Sequence, residues 1–196
     1  MWKKAEKRLL KDKYLGGVVK KWGGCTIIPI KKAAYFEDLV NAICSQQLSG
    51  KAAQTIFNRV KNILNGKIVP DVVLAASDQE LRDCGLSWSK VRYIKDLSVK
   101  VGNSTLKLEN LNNLSDEEVV QELTKVAGIG RWTAEMFLMF SLARPDVFPL
   151  DDLGIRKGMN KLFNKDLTSI EMMEKSNLWR PYKTVASWYI WRSLDN

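Results

Sequence analysis

The sequence has no histidine, only three cysteines and no long apolar run. Without histidine, the serine–histidine and cysteine–histidine nucleophile schemes are excluded, and so is proton transfer by imidazole. A zinc site is also hard to assemble. Cys25, Cys44 and Cys84 are odd in number, far apart and not in CxxC spacing, so they indicate small core residues of a reducing compartment. Any catalysis must therefore rest on carboxylates, lysine, tyrosine, cysteine or backbone groups.

Membrane and export signals are also missing. No apolar stretch approaches the ~18–20 residues that a bilayer span needs. The N-terminal residues are basic but are followed by no apolar core, unlike a secretory signal. We therefore expect an intracellular protein without membrane association, found in the cytoplasm or nucleoid of a bacterium or in the nucleus of a eukaryote.

The charge is strongly basic, with a formal net charge of +9 over 196 residues. Residues 1–32 carry ten lysines or arginines against two acidic residues, Glu6 and Asp12. Such an excess suits a polyanionic partner, of which nucleic acid is the commonest. A solvated, lysine-rich helix face explains the same numbers equally well. Charge alone does not decide between these interpretations.

Apolar spacing predicts an all-α chain of roughly ten short helices. Ser77 and Ser115 each precede a glutamate by three residues, the spacing of a capping box, and Ser87 is a third start signal. Pro70 is expected to open a helix that buries Leu74 and Ala75. An apolar helix is predicted from Arg131 to about Ala143.

The strongest local signal is the sequence VAGIGRWT at residues 126–133. A helix ends near Lys125, Gly128 and Gly130 flank Ile129, and a new helix starts at once. Glycines at this corner permit crowded backbone and leave the amides of the next helix open to an anion such as a DNA phosphate. The alternative is a plain helix–helix corner in which glycine only ends a helix.

Together with VFPLDDLGIRKGM at residues 147–159, this hairpin resembles the helix-hairpin-helix DNA glycosylase superfamily, and most closely its 3-methyladenine DNA glycosylase II (alkylbase) branch. Three further stretches carry the resemblance in the family's order: AICSQQLSGKAA (42–53), CGLSWSKVRYIKDL (84–97) and WRPYKTVASWYIWR (179–192). The resemblance spans essentially the whole chain. It implies an all-α fold of two helical subdomains separated by a cleft, one from about 36 to 146 and the other assembled from 1–35 and 147–196.

The resemblance assigns the catalytic carboxylate to Asp152, the second of two adjacent aspartates ahead of a helix. Asp151 is predicted to have only the structural role of a helix cap. A carboxylate at a helix N-terminus is kept ionised by the nearby N–H groups. Glycoside hydrolysis ordinarily uses two carboxylic groups, but 3-methyladenine and 7-methylguanine already carry positive charge and leave without an acid. One anion that stabilises a cation-like sugar is then sufficient.

The resemblance also predicts an aromatic pocket for an extruded base, formed by Trp132, Met136 and Trp191, because flipped bases are held by stacking. Relatives that also cut the strand have a lysine at the position of Trp132, so we expect a monofunctional enzyme that leaves an abasic site. The four-cysteine iron–sulfur loop of another branch is missing, and no cofactor is expected to be required.

DNA contacts are implied at Gln47, which would fill the emptied base stack, and at the hairpin. A buried helix-capping amide is the alternative role for Gln47. At the hairpin, Gly128, Gly130, Arg131 and Thr133 would hold phosphate. The backbone carbonyls of Thr124, Val126 and Ile129 would bind a structural Na⁺ or K⁺.

The predicted function is thus removal of alkylated purines from double-stranded DNA by a monomeric glycosylase. Three alternatives remain: a glycosylase for a neutral lesion such as uracil or hypoxanthine, a non-catalytic DNA-binding protein, and a protein-interaction scaffold that does not contact DNA.

Overall fold

The computed structural model describes residues 1–195 and is all-α over that range, as predicted. Its α-helices are α1 (Lys3–Leu9), α2 (Gly16–Trp22), α3 (Tyr35–Ser45), α4 (Gly50–Ile63), α5 (Pro70–Ala75), α6 (Asp78–Asp83), α7 (Trp88–Gly102), α8 (Asp116–Thr124), α9 (Arg131–Met136), α10 (Leu153–Phe163), α11 (Ser169–Ser176) and α12 (Lys183–Arg192). Short 3₁₀ turns span Lys32–Ala34, Leu108–Asn113 and Asn177–Trp179. None of these helices has the length and apolarity needed to cross a bilayer.

Helix starts follow the predicted capping signals. Ser77 and Ser115 form complete capping boxes with Glu80 and Glu118, and Ser87 accepts a hydrogen bond from the Lys90 amide. Thr168 and Glu171 form a third box at the start of α11. These reciprocal bonds satisfy amides that have no partner within the helix.

Two compact units make up the described chain: residues 30–134, and residues 1–29 together with 135 onward. The sequence led us to expect the boundaries at 36 and 146. The 3₁₀ turn Lys32–Ala34 lies with the first unit because Lys32 donates to the Glu109 carbonyl. Residues after 134 lie with the second unit, whose apolar core includes Ala143.

The unit of residues 30–134, called the central unit, is built around α7. Helices α3, α5 and α6 pack against α7, and α4 packs against α3 and α6. Leu39 and Ile43 on α3 and Ile94 on α7 are fully buried there. On α5 the buried residue is Val73, whereas Leu74 is exposed, so the predicted burial of Leu74 and Ala75 is wrong.

The other unit, called the terminal unit, is built around α12, which packs against α1, α2 and α10. Its core joins Leu9 and Leu15 from the start of the chain to Trp179 and Tyr189 from its end. A hydrogen bond from the indole of Trp2 to the Ile27 carbonyl (2.7 Å) ties the N-terminal segment together.

Two glycines let α10 approach α12 closely. A Cβ on Gly158 would lie 2.4 Å from Cγ2 of Ile190, and a Cβ on Gly154, one turn earlier, would lie 2.8 Å from the indole of Trp191. Both distances are shorter than real contacts allow. The first turn of α10 therefore packs directly against the C-terminal end of α12.

Candidate functional site

Asp152 is the N-cap of α10. Its backbone is extended (φ −70°, ψ 124°), and its Oδ1 accepts a hydrogen bond from the Ile155 amide at 2.9 Å. The helix dipole and the amides of the first turn favour a negative charge at this position. The neighbouring Asp151 is exposed on the preceding turn, so it is Asp152, and not Asp151, that caps this helix.

Trp191 holds the same carboxylate oxygen from the other side. Its indole Nε1 donates to Oδ1 of Asp152 at 2.8 Å, across 39 residues of sequence. Two donors thus fix the orientation of the carboxylate, one from the backbone of α10 and one from a side chain of α12. Trp191 is half-buried, and its contact with Asp152 depends on the missing side chain of Gly154.

Phe140 extends the aromatic surface beside Trp191. The two rings are stacked, with centroids 5.9 Å apart and an interplanar angle of 29°, and Phe140 remains 40% exposed. The predicted helix from Arg131 does not stay α-helical: after α9 it widens into a π-helical turn at Phe137–Ser141, where the Leu142 amide donates to the Phe137 carbonyl. Such turns are rare in proteins overall, but those that occur are frequently found at functional sites.

Sequence reasoning missed Phe140 and Gly154. Phe140 follows Met136 by four residues, so a shared helix face was a signal that could have found it. Met136 itself is half-buried at the end of α9. Gly154 had no such signal, because its importance lies in a contact with a residue 37 positions away.

The first half of the hairpin in the central unit, Ala127 and Gly128, is held by contacts with neighbouring residues. Gly128 has a φ of +80°, and a Cβ there would lie 2.1 Å from the Tyr93 ring. The Ala127 amide donates to Asp96 at 2.8 Å, and the Gly128 carbonyl accepts from Nε2 of Gln46 at 2.8 Å. This corner requires glycine for its shape.

Asp96, which accepts a hydrogen bond from the hairpin, has a pKa that favours its charged form. Burial alone would raise its pKa, but hydrogen bonds from Lys100 and from the Ala127 amide outweigh burial and lower the pKa below its ordinary value. The Asp96 carboxylate therefore accepts from Ala127 as an anion at neutral pH.

Gly130 differs from Gly128. Nothing lies within 4 Å of the place where its Cβ would be, and its φ is not positive, so the fold does not require glycine at this position. The absent side chain leaves open space at the start of α9, where helix amides lack intrahelical partners.

The other predicted hairpin residues, Arg131 to Thr133, differ in their partners and in their exposure. Arg131 forms a two-pronged ion pair with exposed Glu117 (2.6 and 3.2 Å). This pair lowers the pKa of Glu117. Trp132 is 42% exposed, whereas Thr133 is only 6% exposed, so the Thr133 hydroxyl offers little surface to a ligand.

The predicted cation site consists of backbone carbonyls at the end of α8 and in the hairpin. The Val126 carbonyl accepts from the Ile129 amide at 3.1 Å, and a carbonyl oxygen has a second lone pair. Within residues 1–195 no group of three or more cysteine, aspartate or glutamate side chains is arranged to hold a metal ion.

Gln47 is exposed and has a left-handed backbone (φ +59°). The alternative role of a buried helix-capping amide is therefore wrong, and it is the preceding residue, Gln46, that follows the last turn of α3. Left-handed backbone is uncommon for a residue other than glycine and is often found where function requires it.

The three cysteines are free thiols of low reactivity. Burial raises the pKa of Cys25 to about 11 and that of Cys44 to about 12, and it also raises the pKa of Cys84. A thiolate, the nucleophilic and metal-binding form, is thus disfavoured at all three positions.

Comparison with known proteins matches residues 40–181 to the HhH-GPD superfamily of base excision DNA repair proteins. The chain is 38% identical to DNA-3-methyladenine glycosylase 1 of Schizosaccharomyces pombe over 84% of its own length and 74% of that protein.

Two solved structures have the same fold. One is the 3-methyladenine DNA glycosylase of S. pombe in complex with abasic DNA (TM-score 0.86, 37% identity, 96% of this chain and 95% of that one). The other is a DNA-3-methyladenine glycosidase from Bacillus halodurans (TM-score 0.85, 32% identity, 98% and 89%). With its helical fold, its glycine hairpin and a match over most of its length, the chain belongs to the helix-hairpin-helix (HhH-GPD) superfamily of base excision DNA repair proteins.

Proposed function

We propose that the protein is a monofunctional DNA glycosylase that flips alkylated purines of the 3-methyladenine and 7-methylguanine type out of duplex DNA and hydrolyses their glycosidic bond. The observation that carries the proposal is the Asp152 carboxylate, oriented by the Ile155 amide and the Trp191 indole at the start of α10. The relatives named above are glycosylases for 3-methyladenine by name.

In the proposed mechanism the Asp152 carboxylate stabilises the positive charge that develops on the sugar as the base leaves. A preorganised anion is effective because it needs no reorientation during the reaction. An alkylated purine carries its own positive charge, so its departure needs no general acid. This fits a chain without histidine.

The base would be held by stacking on Trp191 and Phe140, with Trp132 and Met136 assigned to the same pocket by resemblance. Aromatic faces suit an electron-poor, cationic base. Because tryptophan replaces the lysine of strand-cutting relatives at position 132, no Schiff base forms there and the product is an abasic site.

Phosphate binding is assigned to the amides of Gly128 and Gly130, to Arg131 and to Thr133. Gln47 would fill the gap left by the extruded base. The carbonyls of Thr124, Val126 and Ile129 are proposed to bind Na⁺ or K⁺, which would bring positive charge to the hairpin. We propose that the protein acts as a monomer inside the cell.

The test measures bases released from methylated duplex DNA by chromatography, with wild type, Asp152→Asn and Asp151→Asn compared. Asparagine keeps a cap oxygen for Ile155 and an acceptor for Trp191, so Asp152→Asn should fold and bind DNA while release falls about 10²–10³-fold. Asp151→Asn removes the same charge one residue away and should leave release unchanged.

Each alternative has its own outcome in this experiment. With a deaminated duplex assayed in parallel, release of uracil or hypoxanthine from it, without release of methyladenine from the methylated duplex, would establish the neutral-lesion enzyme. DNA binding without release from any duplex would establish a non-catalytic binder. Equal loss of release in the two aspartate variants would remove Asp152 from its proposed role.

A further inference from the structure

The loop that follows α3 presents exposed Gln47 in a left-handed backbone conformation. A side chain on a short, exposed loop in a disfavoured conformation holds its direction only if the neighbouring backbone is held. The residues that hold this loop lie on α7 and in the hairpin.

Lys90, in the first turn of α7, holds the backbone before Gln47. Its Nζ donates to the Cys44 carbonyl at 2.9 Å and to the Gln46 carbonyl at 2.7 Å. These carbonyls lie at the C-terminal end of α3, where partners within the helix are missing and a cation is favoured. Burial lowers the pKa of Lys90, so the ammonium has exchanged part of its hydration for these carbonyls.

Gln46 ties the same loop to the hairpin. Its backbone carbonyl accepts from Lys90, and its side-chain amide donates to the Gly128 carbonyl at 2.8 Å, across 82 residues of sequence. One residue thus connects the Gln47 loop to the corner at Gly128, whose other side is held by Asp96.

We infer that Lys90 and Gln46 are positioning residues that fix the Gln47 side chain relative to the hairpin, so that the group that fills the base stack and the amides that hold the phosphate move as one body. This inference rests on the proposed function, since it needs Gln47 to enter the stack. Neither residue takes part in the chemical step. They order the loop before DNA binds, so that less conformational entropy is lost on binding.

The test is a double-mutant cycle between Lys90→Met and Gln47→Ala, read as kcat/KM for methyladenine release. A misplacement of about 1 Å can cost up to about a hundredfold, and we expect a loss between about ten- and a hundredfold for Lys90→Met and for Gln46→Met. In the Gln47→Ala background, Lys90→Met should cost little more, because the side chain that Lys90 positions is already gone. Lys90→Arg, which keeps two donors, should recover most of the activity.

Lys95 provides a matched control on the same helix. Its Nζ also donates to two carbonyls at a helix end, those of Leu74 in the last turn of α5 and of Ala76 just after it, but the loop that follows carries no predicted DNA contact. Lys95→Met should lower the unfolding midpoint about as much as Lys90→Met while leaving kcat/KM near wild type. Equal losses of activity in both variants would mean that Lys90 acts only through stability.

The outcomes separate this inference from the proposed function. If wild type releases no base, the proposed function fails, and the same cycle is then measured as affinity for a duplex that contains a tetrahydrofuran abasic analogue. If Lys90→Met costs as much without Gln47 as with it, in either assay, the positioning role is overturned.

Discussion

At the scale of single residues, the proposed site depends on a position that carries no side chain. Gly154 leaves the space in which the Trp191 indole reaches Asp152, and a Cβ there would lie 2.8 Å from Trp191 and 3.0 Å from Asp152. The first turn of α10 thus supplies the charge of Asp152 and the space that lets the α12 indole orient it.

We predict that Gly154→Ala lowers base release by at least about tenfold, because the added methyl group pushes the indole away from the carboxylate. The strain should cost about 1–3 kcal/mol of stability, as overpacking does elsewhere. Base release and thermal unfolding measure the two effects separately.

Gly17→Ala is the control for this prediction. Gly17 lies in α2, and nothing is within 4 Å of the place where its Cβ would be. Alanine there should leave release unchanged and stabilise the helix slightly. If Gly154→Ala released base at the wild-type rate, the indole–carboxylate bond would not matter to the reaction.

A carboxylate before a helix is a local signal, but by itself the sequence predicts only a helix cap there; the catalytic role of Asp152 is what the family resemblance implies. The sequence did not predict Phe140 or Gly154. The spacing from Met136 could have indicated Phe140 but not its stacking on Trp191, which depends on how the turn Phe137–Ser141 packs beside α12. The space at Gly154 depends on how α10 packs against α12, and no spacing within one segment encodes it.

At the scale of elements, the hairpin separates a glycine needed for folding from one that is not. Gly128 already has a positive φ, so Gly128→Ala would hold a Cβ in a strained backbone conformation and against the Tyr93 ring, and it should lower the free energy of unfolding by about 2–4 kcal/mol. Gly130→Ala should unfold like wild type, because the space around it is open.

Gly130→Ala should nevertheless weaken DNA binding severalfold, because its methyl group stands where a phosphate would approach the amides at the start of α9. Thermal unfolding and a DNA titration of both variants test this. Wild-type affinity in Gly130→Ala would argue that the hairpin is only a helix–helix corner.

Capping boxes make helix starts sensitive to acid, most clearly at α11. Hydrogen bonds from Lys165 and from Thr168 lower the pKa of Glu171 to about 2. A lowered folded-state pKa adds stability above the unfolded value near 4.5, and this contribution is lost as the pH falls from there toward 2.

Glu171→Gln should therefore be less stable than wild type at pH 7, and the difference should shrink as the pH falls below about 4.5. Urea unfolding at several pH values measures this. A difference that stayed constant down to pH 2.5 would contradict the assignment.

Two of the three capping boxes were predicted from Ser-x-x-Glu spacing, since a box lies wholly within four residues. The π-helical turn at Phe137–Ser141 was not, because its apolar residues have the same composition as an ordinary buried helix. Local hydrogen bonding is visible in sequence, whereas a change of helical register is not.

At the scale of the whole molecule, charge governs association with DNA. All ten basic residues among positions 1–32 are exposed, and the net charge is +9. Log affinity should fall linearly with log salt, with a slope of about 0.9 for each phosphate neutralised.

The substitution Arg131→Gln should reduce that slope by about one. Glu117→Gln should instead strengthen binding modestly, because Arg131 no longer has to leave its carboxylate partner. The slope is measured by fluorescence anisotropy with a labelled duplex at salt concentrations from about 50 to about 300 mM. Affinity that did not vary with salt would favour the protein scaffold.

The arrangement of the two units has a consequence for the order in which the chain can fold during translation. The central unit is one uninterrupted stretch, so everything it needs has been synthesised once residue 134 is made. The first 29 residues must wait, because the core they join is supplied by residues beyond 142. On a ribosome we expect the basic N-terminal helices to remain undocked until α12 (Lys183–Arg192), against which they pack, has been synthesised, and a chaperone that recognises exposed Leu9 and Leu15 would meet them during that interval.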